Sequence, residues 1–184
     1  MDEISKVHIG DARKFQRYGE YSLAAESLNL AQKADIHNRY SLEIEKLKSF
    51  NYRKLGDYNM ALLHINNALR INAEQNQQYE QVICERAVCL MNKGVIFEER
   101  GEDTRALDCY LSALERFILL VAKNKEYGGM VINSLLTIGL LYYKRENFNE
   151  AREYLMMAIP YFEDGKEQDR RYLAIINTLE ELKE

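Results

Sequence analysis

Four stretches of this chain repeat one short pattern, and that repeat restricts the possible folds more than any other feature. Gly19-Glu20-Tyr21 is followed by Ala24, Leu28 and Ala31. Gly56-Asp57-Tyr58 is followed by Ala61, Ile65 and Ala68. Gly101-Glu102-Asp103 leads to Ala106, Tyr110 and Ala113, and Asn147-Phe148 leads to Ala151, Leu155 and Ala158. Upstream of each turn a small residue stands three before an aromatic: Ala12 and Phe15, Ser49 and Tyr52, Gly94 and Phe97, Gly139 and Tyr142. Leu90 and Leu135 add a large residue one turn earlier in the last two copies. Spacings of three, four and seven place these residues on one helical stripe. Each copy therefore reads as two helices that approach at the small residues while the aromatics fill the space alongside.

The pattern predicts an all-α chain with helices over 4–18, 21–35, 38–54, 58–73, 78–99, 103–123, 128–145, 148–162 and 167–183. The ninth carries Tyr172, Ile176, Leu179 and Leu182 on one face. That is the pattern of a cap on stacked repeats, whose last unit otherwise leaves an apolar face open. The chain reads as a single domain, 1–184, with units at 4–36, 38–75, 78–123 and 128–163 and a cap at 167–184. The copies are unevenly spaced: Ala24 to Ala61 is 37 residues, while Ala61 to Ala106 and Ala106 to Ala151 are 45 each. The surplus falls in 72–81 and 117–127, segments without Pro, and reads as added helical turns closed by short loops.

Composition excludes several classes. One Pro and nine Gly suit helices, not a loop-rich or disordered chain. Residues 1–71 hold 11 Lys/Arg and 9 Asp/Glu, and the rest of the chain brings the net charge to -4, which is no nucleic-acid footprint. No run approaches the length of a membrane span, and the acidic start is no secretory signal. Three cysteines without a CxxC pair point to a reducing cytoplasm.

The motif resembles the tetratricopeptide repeat, from about Ile4 to Phe162. The small-to-aromatic pair, the following Ala, and the large residue before the next Ala carry the likeness. His8 and Glu45 occupy the opening large position in the first two copies, and the family's closing Pro is missing from its usual place. Pro160, the chain's one proline, falls a few residues early. The lengthened units are similar to those of the kinesin light chain type and of peptide-sensing bacterial regulators. The resemblance implies a right-handed α-α superhelix of about four helix pairs whose first helices line a concave face.

Chemistry-bearing motifs are sparse. His8, His37 and His64 stand apart in sequence, and Cys84, Cys89 and Cys109 lie on helices without a local His. No HExxH, GxxxxGK[ST] or GxGxxG is present. The expected function is therefore non-enzymatic, with no catalytic residues, metal or cofactor, no nucleic acid and no membrane, and with a protein or peptide as partner.

Residues off the packing stripe, among them Ile9, would face the concave side. Its basic end is Arg13, Arg17, Lys46, Arg53 and Lys54, with Phe50 among them. Its apolar end is Met91, Val95, Leu136, Leu140 and Tyr143, with Asn92. A segment acidic at one end and apolar at the other would fit. The family's carboxylate clamp is incomplete. Lys46 and Asn92 match it, but Phe50 replaces an Asn, and Asn133 and Thr137 stand where Lys and Arg belong. Two other readings stay open. A surplus of aromatics, Tyr79, Tyr127 and Tyr161, fits a self-associating module, and the small acidic chain fits a secretion-type chaperone.

Overall fold

The computed structural model describes residues 2–162 and 169–182. Nine α-helices follow one another among them: α1 Asp2–Arg17, α2 Tyr21–Ala34, α3 Ser41–Lys54, α4 Tyr58–Ala73, α5 Glu80–Glu99, α6 Asp103–Val121, α7 Gly128–Lys144, α8 Phe148–Ala158 and α9 Arg170–Glu181. They pack as antiparallel pairs, α1 with α2, α3 with α4, α5 with α6 and α7 with α8, and each second helix leans on the next first helix. Positions 167, 168, 183 and 184 of the expected cap, and 163 at the end of the fourth unit, lie outside the described residues.

Every pair turns in the same way. Gly19, Gly56 and Gly101 have φ of 76°, 78° and 77°, and Glu146 takes the same place at φ 61°. In each copy the residue after this one donates its N–H to the carbonyl of the repeat aromatic: Glu20 to Phe15, Asp57 to Tyr52, Glu102 to Phe97 and Asn147 to Tyr142, at 2.9–3.0 Å. The left-handed residue satisfies the last carbonyls of the first helix and reverses the chain into the second.

Beyond the turn, the small positions let the helices meet. A β-carbon on Gly94 would overlap the Tyr110 ring, and one on Gly139 would lie 2.8 Å from the Leu155 side chain. Ser49 uses its hydroxyl instead, donating to the Ala61 carbonyl at 2.9 Å. Ala24, Ala31, Ala61, Ala68, Ala106, Ala113, Ala151 and Ala158 are all fully buried.

The longer units extend helices and leave the loops alone. Residues 35–40, 74–79 and 122–127 connect successive pairs, six residues each time. The first surplus lies mostly at the start of α5, and the second is shared between the end of α6 and the start of α7. α3 begins at Ser41 instead of 38 because Asp35 holds the loop open. Its carboxylate accepts from the Arg39 and Tyr40 N–H groups, both at 2.9 Å, and from the Ser41 hydroxyl at 3.2 Å. α8 stops at Ala158 and passes into a 3-10 turn, Ile159–Tyr161, since Pro160 has no N–H to continue the ladder.

The core is unequal along the array. One continuous cluster runs from Ala87 through Phe97, Tyr110, Phe117, Leu135 and Leu155 to Ile175. The N-terminal pairs hold smaller clusters, Ile9 with Ala31 and Ile44, and Ala12 with Ala24 and Leu28. Ile9 is therefore an interior residue, because α2 and α3 close over it, and not part of a concave surface.

Candidate functional site

The first helices α1, α3, α5 and α7 are linked to one another by side chains. Arg13 pairs with Glu43 at 2.5 Å and joins α1 to α3. Arg53 pairs with Glu99 at 2.5 Å and joins α3 to α5. Lys144 lies 4.0 Å from Glu98 and joins α7 to α5. Gln16 donates to Asn51 at 2.7 Å, and the Ser134 hydroxyl lies 3.6 Å from the Met91 sulfur. These contacts skip the intervening second helix, so the first helices share one face.

Two clefts open on it. The first, about 470 Å³, is lined by Arg13, Glu43, Lys46, Gln75, Gln81 and Glu85 among others. The second, about 560 Å³, is shallower and lined by Arg13, Gln16, Arg17, Leu47 and Phe50. The cationic end is thus mixed in charge. Arg13 and Arg53 are engaged with carboxylates, while Arg17, Lys46 and Lys54 have no ion pair among the described residues. Phe50 lies beneath the cations, with Arg53 and Lys54 5.3 and 5.8 Å from its ring centroid, and Tyr21 edge-on at 6.1 Å. Such cation–ring contacts hold the long side chains in place at little cost.

Toward the other end, Asn92 is exposed, and Met91, Val95 and Leu136 are half-buried against the main core. Leu140 is 40% exposed. Tyr143 turns to the last helix and donates to Glu181 of α9 at 2.8 Å. The candidate residues therefore form three groups: the cluster around Phe50 and Lys46, the strip Met91–Val95–Leu136–Leu140, and Tyr143 at the junction with α9.

A polar cluster that sequence spacing did not reveal lies between α3 and α4. Glu45 receives His64 Nδ1 at 2.8 Å and Asn67 Nδ2 at 3.1 Å, and the His64 ring stacks on Tyr52 at 5.2 Å. Burial works against the Glu45 charge, but hydrogen bonds from His64 and Asn67 outweigh it and hold the carboxyl below its ordinary range. Lys48, one turn on, donates to Gln32 at 2.6 Å, and burial lowers its pKa. The signal was present in sequence only as an anomaly: Glu45 stands where the repeat wants a large apolar residue.

The thiols are held protonated. Burial pushes Cys89 up to about 11 and raises Cys84 and Cys109 as well, which removes nucleophilic character at neutral pH. Among the described residues no group of three or more His, Cys, Asp or Glu is arranged to hold a metal ion. No helix among them is long and apolar enough to cross a membrane.

Residues 131–160, which form most of α7 and α8, match the tetratricopeptide repeat family. That stretch is one tetratricopeptide repeat. The fold extends the likeness to the full length. The apo form of RapI superposes over 97% of this chain with a TM-score of 0.77 at 18% identity. A putative kinesin light chain from Podosopora anserina, with nearly identical tetratricopeptide-like repeats, covers 100% of this chain and is itself covered over 95%, at TM-score 0.69 and 15% identity. A tetratricopeptide repeat protein of Parabacteroides merdae covers 98% at TM-score 0.64 and 20% identity. This chain spans 64% of RapI and 60% of the Parabacteroides protein. No curated protein sequence matches it. At these identities the likeness concerns the fold, a tetratricopeptide-type superhelix of a kind that generally serves protein–protein interaction.

Proposed function

We propose that this chain is a non-enzymatic adaptor that binds an extended or helical segment of a partner protein along the shared face of its first helices. The observation that carries the reading is the composition of that face. Arg17, Lys46 and Lys54 stand beside Phe50 at one end, and Leu140 lies open beside Met91, Val95 and Leu136 at the other. A ligand with acidic residues near one end and apolar anchors near the other would satisfy both. The cationic cluster has no cationic pair on α7 to hold a terminal carboxylate, because Asn133 and Thr137 occupy those places. Internal segments are therefore favoured over free C-terminal tails. Protonated thiols and a reducing cytoplasmic setting agree with each other.

Selection from a displayed peptide library tests the reading. The expected winners are acidic at one end and apolar at the other. They should lose at least roughly tenfold in affinity for a Lys46→Glu/Lys54→Glu variant and for Leu140→Arg. Peptides that bind these variants as well as the parent would place recognition elsewhere and end the proposal.

A further inference from the structure

The ion pairs between first helices tie a cation on one helix to a glutamate on its neighbour, and they differ in how firmly they are held. The Arg53 side chain is 16% exposed, packs over the Phe50 ring and pairs with Glu99. The Arg13 side chain is 60% exposed, and that of its partner Glu43 is 34% exposed. Arg13 reaches Glu43 through Nη2 alone, and makes no other side-chain hydrogen bond among the described residues. A pair so open to solvent is screened and adds little to stability. Two parallel bonds from a guanidinium to one carboxylate are stronger than a single bond, so a better placed acid can take Arg13 over.

The position of Arg13 says where that acid would sit. Arg13 and Leu47 line both clefts on the first-helix face and form the wall between them. Glu43 lines only the first cleft. The second is lined by Arg13, Gln16, Arg17, Leu47 and Phe50, with no acid among them. Arg17 stands one turn on from Arg13 along α1 and makes no ion pair among the described residues. Like charges at this spacing repel, and Glu43 offsets only one of them, from the first cleft. A carboxylate entering the second cleft would meet both arginines, with Leu47 and Phe50 beside its apolar stem.

We infer that the second cleft seats an anchoring carboxylate of the bound segment between Arg13 and Arg17, and that Glu43 competes with it for Arg13. The inference rests on the first-helix face being the binding surface. It makes Glu43 a specificity-determining residue. A neutral side chain in the cleft leaves the Arg13–Glu43 pair closed. An acid opens it and releases Glu43 to water, at small cost because Glu43 is already partly exposed.

The probe is the tightest acidic–apolar peptide from the library selection, titrated by calorimetry into the full chain at about 50 mM salt, where surface charges are weakly screened. Glu43→Gln should bind it about three- to fivefold more tightly. Arg13→Gln should cost at least about threefold more in the Glu43→Gln background than in the parent, because only there is Arg13 released beforehand. Circular dichroism should show every variant folded, since these side chains are exposed or half-buried. Changing the peptide's acids to amides one at a time should find one whose loss removes the effect of Arg13→Gln. An Arg13→Gln cost that is equal in the two backgrounds, or larger in the parent, overturns the inference. So does the same coupling between Arg13 and Glu99→Gln, which would mean that net charge alone sets the affinity. In these cases a peptide still weakened by Lys46→Glu/Lys54→Glu leaves the first-helix reading standing. A peptide indifferent to that variant ends both.

Discussion

At the scale of single residues, the repeat works through what is small and what is paired. Gly94 sits inside a helix, where replacing Gly by Ala ordinarily gains up to about 1 kcal/mol. Here the added methyl would enter the Tyr110 ring, which is fully buried and hydrogen-bonded to Glu98 at 2.8 Å. The overlap reverses the sign, and Gly94→Ala is expected to cost about 1–3 kcal/mol in chemical denaturation. Glu45 gives a second prediction at this scale. Its carboxyl lies below the ordinary value in the folded chain, so it ionises more readily there than in the unfolded chain. The stability this contributes is present above the unfolded value of 4.5 and is lost as pH falls through the folded one. Denaturation midpoints should therefore fall on acidification below about 4.5, and more steeply in the parent than in Glu45→Gln. Equal slopes for the two proteins would show that Glu45 does not carry the effect.

At the scale of helices and turns, the fourth copy is the irregular one. Three copies use glycine for the left-handed turn residue, but Glu146 adopts φ 61° with a side chain attached. The conformation is uncommon for a residue with a β-carbon, and its strain is avoidable. Glu146→Gly should raise stability by about 0.5–1 kcal/mol, read as a higher thermal midpoint; the loss of Glu146 charge touches no ion pair among the described residues. This scale is also where the sequence was most legible. Turn residues, the small-aromatic stripe and helix periodicity are local signals, and the boundaries they imply lie within four residues of those seen in the described helices. Where they missed, at Ser41 and Ala158, the causes were a carboxylate reaching across a loop and a proline closing a helix early. The site was less legible for the opposite reason. The pairs Arg13–Glu43 and Arg53–Glu99 join residues 30 and 46 apart, so periodicity marked the cations without showing their partners. Ile9 misled in the same way, since its cover comes from Ala31 and Ile44 on other helices.

At the scale of the whole molecule, stability is distributed unevenly, and this bears on how the array works. Repeat arrays gain stability from each unit and from its contacts with neighbours, so weak units open first. The α5–α8 half holds one continuous apolar cluster with Tyr110, Phe117, Leu120, Leu135, Ile138 and Leu155 fully or almost fully buried. The α1–α4 half divides its apolar residues among small clusters and buries Glu45, Lys48, Asn51 and Asn72 instead. Asn51 Nδ2 and Asn72 Oδ1 are buried there without a hydrogen-bond partner among the described residues, each a cost of about 1–3 kcal/mol that an apolar interior avoids. The cationic part of the proposed binding face therefore rests on the looser half, and the apolar strip rests on the firmer one. Amide hydrogen exchange should show the difference directly: α1–α4 should exchange through sub-global openings well below the global unfolding free energy, while α5–α8 should approach it. A cavity in the firm half, Leu155→Ala, should cost about 2–5 kcal/mol and narrow the gap between the halves. Uniform protection across all eight helices would mean that the two halves unfold as a single unit, with binding energy at one end felt equally at the other.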